Sequence, residues 1–354
     1  MSNLYATSLD QATNLVATIG HQRTVLVQGH MGCGKSSMLK VLQERFPDHH
    51  ACYFDCTTKD LGDISIPSLN TDEGYVKYLP NEEFGLHTGK PVILMVDEFG
   101  KANPAVKNAL LRDMLERDRF PENSIIFATT NLGAEGVGDL LPPHARNRLT
   151  VVEMRKPDST EWIEWGINNH IHPSVLGFVK DFPQTMQSFQ EVTQPDDNPY
   201  IFHPKQQRAA FITPRSLEAA SDILQVREYL DDNTLTGALC GTIGDRGAMD
   251  MMAFVKLADQ LPTLESIKQD PDNATVPTSA SAVCMVVYRA VSMVERDWVD
   301  SWMIYLRRLD KEAQGLFVNC IRASNYGKRD MIMQSKNYGT WAVENNYMFA
   351  ADKK

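Results

Sequence analysis

No run of apolar side chains in this 354-residue chain approaches the roughly 20 that crossing a bilayer requires, so the sequence offers no membrane span. Its amino terminus, MSNLYATSLDQATNL, has neither the charged start nor the apolar stretch of a secretory signal, and a cytoplasmic protein is expected. Cysteine is sparse and scattered. Of Cys33, Cys52, Cys56, Cys240, Cys284 and Cys320, only Cys52 and Cys56 lie close together, where a zinc site would need two such pairs. Reduced, buried thiols are the expectation. His170 and His172 are near neighbours, yet no carboxylate or cysteine spacing completes a metal set around them. Internal repeats and low-complexity blocks are absent. Positive charge is in deficit too. A formal net charge of −10 argues against a surface built for indiscriminate contact with nucleic acid, although it leaves room for a local basic channel.

What the chain does contain is ordinary for a folded protein: 43% hydrophobic and 23% charged residues, over a length that suggests two or three domains. Residues 4–19 place Leu9, Ala12, Val16 and Ile19 at helical spacing. Short apolar runs at 24–27, 51–54, 92–96, 125–129 and 149–153 read as strands, and 35–45 and 104–117 as helices between them. Strands alternating with helices predict a parallel sheet covered on both faces. Residues 55–90, with Pro67, Gly74 and Pro80, predict an elaborated loop that can hold a hairpin. Beyond Pro157 the pattern turns helical, at 159–170, 173–180, 214–231, 247–260, 279–296 and 297–325. The stretches 183–205 and 262–278 read as linkers or surface loops, and the last thirty residues as polar and undefined.

Three segments carry chemistry. Gly29-His30-Met31-Gly32-Cys33-Gly34-Lys35-Ser36, continued by Ser37, fits G-x-x-x-x-G-K-[ST] between a strand and a helix. Glycines at this spacing let the backbone curl so that successive N–H groups face phosphate oxygens, and the helix adds its positive end. Lys35 can reach the β- and γ-phosphates, and the Ser36 hydroxyl can coordinate Mg²⁺. The second segment is Val92–Glu98, a buried strand ending in two carboxylates at the sheet edge where ligands bind. Asp97 is placed to hold Mg²⁺ and Glu98 to orient and deprotonate a water. The third is Phe127–Asn131, another strand ending at that edge, where Asn131 can position the water or the γ-phosphate.

With these elements in this order the chain resembles the AAA+ ATPases. Gly29–Ser36 looks like their Walker A motif, Asp97-Glu98 like Walker B, and Asn131 like sensor 1. The resemblance implies a P-loop α/β fold: a parallel sheet flanked by helices, followed by an α-helical lid and a C-terminal helical region. It implies a core over 1–182, a linker over 183–210 and the helical part over 211–354. ATP and Mg²⁺ are the implied cofactors, and a homo-oligomeric, usually hexameric, ring the implied assembly. In such rings an arginine from one subunit reaches the phosphate held by the next. Here Arg148 fits best and Arg146 is the alternative. Thr213-Pro214-Arg215-Ser216 resembles the sensor 2 motif, with Thr213 a helix cap, Pro214 at the first helical position and Arg215 the phosphate contact. A cation in a helix's first turn opposes the helix dipole, so helix stability alone does not explain Arg215.

Residues 102–116 and the T-P-R-S segment look most like the MoxR, or dynein-related, branch. That likeness implies a chaperone-like remodeller of a protein substrate or adaptor, one bearing a von Willebrand factor A domain among them. A nucleic-acid-stimulated motor is the alternative. Tyr75, Lys77 and Tyr78 form an aromatic-basic cluster that either grips a peptide or bases in a ring or simply covers a sheet.

Overall fold

The computed structural model describes residues 5–135, 147–323 and 326–349. It divides into two compact units, Met1–Pro157 and Asp158–Lys354.

The first unit is built on a five-stranded parallel sheet in the order β2-β5-β6-β1-β7. The strands are β1 (Val25–Gly29), β2 (His50–Asp55), β5 (Val92–Asp97), β6 (Ile125–Thr130) and β7 (Thr150–Met154). Strand periodicity decides which side chain faces which way. From β5, Val92, Leu94 and Val96 join one apolar cluster and Ile93 and Met95 the other; Ile126 and Ala128 of β6 likewise oppose Ile125 and Phe127. The first cluster is closed by α3 (Pro104–Glu116) through Val106, Leu110, Leu111 and Met114. The second is closed by α1 (Leu9–Ile19) and α2 (Ser37–Arg45) through Ala12, Val16, Met38 and Leu42. The expected sheet, covered on both faces, is present.

Helix α1 starts at Leu9 rather than at residue 4, because Ser8 caps it in a reciprocal box with Gln11. The segment before that cap runs beside β7. Thr7 donates its N–H to the Glu153 carbonyl at 2.8 Å and accepts from the Arg155 N–H at 2.9 Å. In α3, Asn103 caps Val106 N–H and Pro104 sits at the first turn, where its missing donor costs nothing.

Between β2 and β5 lies an antiparallel hairpin, β3 (Ser65–Asn70) with β4 (Tyr75–Pro80), turning through Gly74 at φ 71°. It carries a run of exposed apolar groups, including Leu69 at 77%, Ile66 at 63% and Tyr78 at 62%. Tyr75 and Tyr78 lie on β4 and are 48% and 62% exposed.

The second unit is helical. Its elements are α4 (Ser159–Asn168), α5 (Pro173–Asp181), α6 (Pro214–Gln225), α7 (Asp232–Ala258), α8 (Leu264–Gln269), α9 (Ala280–Met293), α10 (Val299–Arg307), α11 (Lys311–Arg322), α12 (Arg329–Met333) and α13 (Lys336–Glu344). They pack around one core containing Phe178, Tyr288, Trp302, Phe317 and Trp341. Helix α7 begins fifteen residues before the helix expected at 247, and Gly244 breaks it at φ 79°, ψ 160°. The closing residues, expected to be undefined, form α12 and α13 and bury Ile332, Tyr338 and Trp341.

Candidate functional site

The carboxyl ends of β1, β5 and β6 bring the three sequence segments together. After β1 the chain turns through Gly32 at φ 67° and Gly34 at φ 97°, a region costly for side-chain-bearing residues. Ser36 occupies the N-cap of α2 without using its hydroxyl for capping, which leaves that oxygen available. The neighbouring Ser37 hydroxyl instead donates to the Gly34 carbonyl at 2.6 Å. Cys33 is buried under the loop, and burial pushes its thiol up, so it stays protonated.

Lys35 is 7% exposed. Its ammonium donates to the Gly29 carbonyl at 2.9 Å, the His30 carbonyl at 2.8 Å and Asn131 Oδ1 at 2.8 Å. Three donors meet three neutral acceptors, and among the described residues no carboxylate pairs with the charge. A buried cation without a counter-ion is costly, and an incoming anion relieves that cost.

Asp97 faces the same side of the sheet as Ile93 and Met95, toward α2. Its Oδ1 accepts from Thr129 Oγ1 and, at 2.9 Å, from the Glu98 N–H. Its Oδ2 accepts from Tyr53 OH at 2.8 Å and lies 3.5 Å from Ser36 Oγ. Burial first, and the Asp97 hydrogen bond second, push the Tyr53 phenol well above its ordinary range, so it serves as a donor.

Glu98 sits in the left-handed region at φ 52°, ψ 34°. That conformation costs about 1–2 kcal/mol for a residue with a Cβ, and such strain concentrates at functional sites. Asn131 Nδ2 donates to Glu98 Oε1 at 3.2 Å, while Oε2 lies 3.1 Å from Lys101 Nζ without hydrogen-bond alignment. Oε2 is thus a buried oxygen, ion-paired with Lys101 and carrying no hydrogen bond.

Glu135 also enters the site. Its carboxylate accepts from the Met31 N–H at 2.7 Å and meets His30 Nδ1 at 2.7 Å, with the Glu135 side chain 1% exposed. The turn after β6 is therefore tied to the phosphate loop at both its beginning and its end.

Ser36 and Asp97 offer two hard oxygen donors within 3.5 Å of each other, which suits Mg²⁺. Among the described residues no cluster of three or more His, Cys, Asp or Glu is placed to hold a metal. Mg²⁺ needs none, since it keeps several waters and binds through one or two side chains plus phosphate.

Arg148 is exposed just before β7, and Arg146 falls outside the described residues. Arg215 belongs to the helical unit. It is exposed in the first turn of α6, where Thr213 accepts from the Ser216 N–H at 3.0 Å and Pro214 occupies the first position. Sequence reasoning missed Tyr53, Thr129 and Glu135. For Thr129 a signal existed, a polar side chain ending an otherwise apolar strand; Tyr53 and Glu135 carried none.

No family model matches the sequence, and no curated protein matches it. Among solved structures the chain is similar to the Thermotoga maritima RuvB Holliday junction branch migration motor. The identity is 13% over 72% of this chain and 73% of that one, with a TM-score of 0.36. It is also similar to NtrX from Brucella abortus in complex with ADP, at 13% identity over 98% of this chain and 70% of that one, with a TM-score of 0.39.

Proposed function

We propose that the chain is a Mg²⁺-dependent ATPase of the AAA+ class, most like the MoxR branch, acting as a homo-oligomeric ring, hexameric by resemblance, that remodels a protein partner. A partner with a von Willebrand factor A domain fits that branch. The observation that carries the reading is the buried ammonium of Lys35, paired with no carboxylate among the described residues, preceded by positive-φ glycines and joined through Asn131 to Glu98.

In this reading Lys35 exchanges its carbonyl and amide acceptors for phosphate oxygens of ATP, alongside the backbone donors of residues 30–37. Ser36 and Asp97 would hold Mg²⁺, whose bound charge offsets the negative charge of the phosphates. Glu98 takes the proton of the attacking water, and Asn131 fixes both that carboxylate and the γ-phosphate. Arg148 or Arg146 of a neighbouring subunit supplies positive charge as the bond breaks, and Arg215 serves as the lid contact.

The test is ATP turnover by the assembled oligomer. Glu98→Gln should retain ATP and abolish turnover, and Lys35→Ala should lose nucleotide uptake. Wild-type oligomer without turnover would sink the reading. A second reading, stimulation by nucleic acid, draws on Tyr75 and Tyr78, 48% and 62% exposed on either side of Lys77, since exposed aromatics can stack on bases. It requires oligonucleotides to raise the rate in a salt-sensitive way.

A further inference from the structure

Strand β2 lies at the margin of the sheet, and its contribution to the site is the aromatic side chain of Tyr53. Parallel register pairs Tyr53 with Met95 and Asp55 with Asp97. Tyr53 thus shares a sheet face with Asp97, one strand step behind it, and leans forward so that its hydroxyl meets Oδ2 at 2.8 Å. Although the residue is 48% exposed, its oxygen is committed to a carboxylate that is 7% exposed.

An ionised carboxylate offers about four lone-pair directions. Thr129 Oγ1 and the Glu98 N–H take those of Asp97 Oδ1, and Tyr53 takes one of Oδ2. The direction left over is the one beside Ser36 Oγ, 3.5 Å away. Asp97 therefore presents a single acceptor, aimed at the hydroxyl expected to ligate the cation. Without the Tyr53 bond, Oδ2 would have two open directions and the carboxylate one fewer restraint against rotation.

We propose that Tyr53 is a positioning residue for the divalent-cation site, fixing Asp97 so that its remaining lone pair faces Ser36. The proposal rests on the nucleotide and Mg²⁺ reading above and adds a residue to it. Groups that orient metal-holding side chains typically govern affinity for the ion by about 10- to 100-fold.

The test uses the full chain and Mn²⁺ as the probe. Free Mn²⁺ is followed by electron paramagnetic resonance during titration of protein saturated with the β,γ-imido analogue of ATP. Tyr53→Phe keeps the ring and removes the hydroxyl, and Tyr53→Leu removes both. Both should weaken Mn²⁺ binding by about tenfold. Affinity for the analogue in excess EDTA should stay at the wild-type value, and so should the melting temperature of Tyr53→Phe. Unchanged Mn²⁺ affinity in Tyr53→Phe overturns the proposal, as does an equal loss of nucleotide affinity in EDTA. Failure of the wild-type protein to bind the analogue in either condition instead removes the underlying nucleotide reading, and this inference with it.

Discussion

Asn131 accepts a hydrogen bond from Lys35 at 2.8 Å, across 96 positions of sequence, and its amide nitrogen reaches Glu98 at 3.2 Å. One side chain thus joins the cation of the phosphate loop to the carboxylate placed to activate water. An amide is suited to this post, because it accepts on one side and donates on the other. Asn131→Ala should lower kcat by about 10²–10³, in the range for losing a preorganised polar contact, with nucleotide affinity changed only a few-fold. Steady-state turnover and equilibrium binding of labelled ATP separate the two effects. A variant that loses affinity and keeps kcat contradicts the assignment.

Glu135 is buried while holding His30 and the Met31 N–H. Removing it takes away the acceptor that the half-buried Met31 N–H uses, so Glu135→Ala should cost about 1–3 kcal/mol of stability. Glu135→Gln keeps an acceptor for the Met31 N–H and should cost less. Thermal unfolding with and without nucleotide would measure both, and equal losses in the two variants would count against the bond to Met31.

The helical unit should respond to acid through His172. Burial, with Arg227 and Arg289 adding repulsion, pushes this imidazole down from 6.5 to about 4. On acidification the unfolded chain takes up the proton first. The contribution is therefore complete above pH 6.5 and lost progressively as the pH falls toward 4, about 3 kcal/mol in all. The Ser174 N–H donates to His172 Nδ1 at 3.2 Å. His172→Asn keeps an acceptor there and should flatten the decline, as read from urea midpoints across that interval. An unaltered slope would rule His172 out.

Gly244 is required by geometry. A Cβ there would lie 2.7 Å from the Ala210 carbonyl oxygen, at a φ of 79°. Gly244→Ala should destabilise the helical unit by about 2–4 kcal/mol. By contrast Gly237→Ala, where a Cβ meets nothing within 4 Å, should be neutral or stabilising by up to about 1 kcal/mol. Denaturant unfolding of the pair compares a forbidden site with a permitted one in the same helix.

The phosphate loop and the acidic pair were legible in the sequence because their chemistry needs contiguous residues, a glycine turn before Lys35 and a strand running straight into Asp97. Strand periodicity then fixes which face Asp97 takes. Tyr53 was not legible. Its role follows from the register between β2 and β5, which the local sequence does not state. Glu135 is a similar case, since its partners lie more than 100 positions earlier. In α7 the glycines and threonines of 232–246 hid a helix, yet Leu235, Leu239 and Ile243 recur every four residues and are buried. Packing there overrode weak propensity. Tyr338 and Trp341 show the same effect within a polar-looking tail.

The contacts of Thr7 with Glu153 and Arg155 bear on how the protein should be handled. They occupy backbone groups along the outer rim of β7, the last strand of the sheet on that side. A shortened version starting at Leu9 would strip Thr7 from that rim and make it a readier template for strands of other molecules. Clumping at high concentration is the expected behaviour of such a truncation, even with every nucleotide-site residue intact.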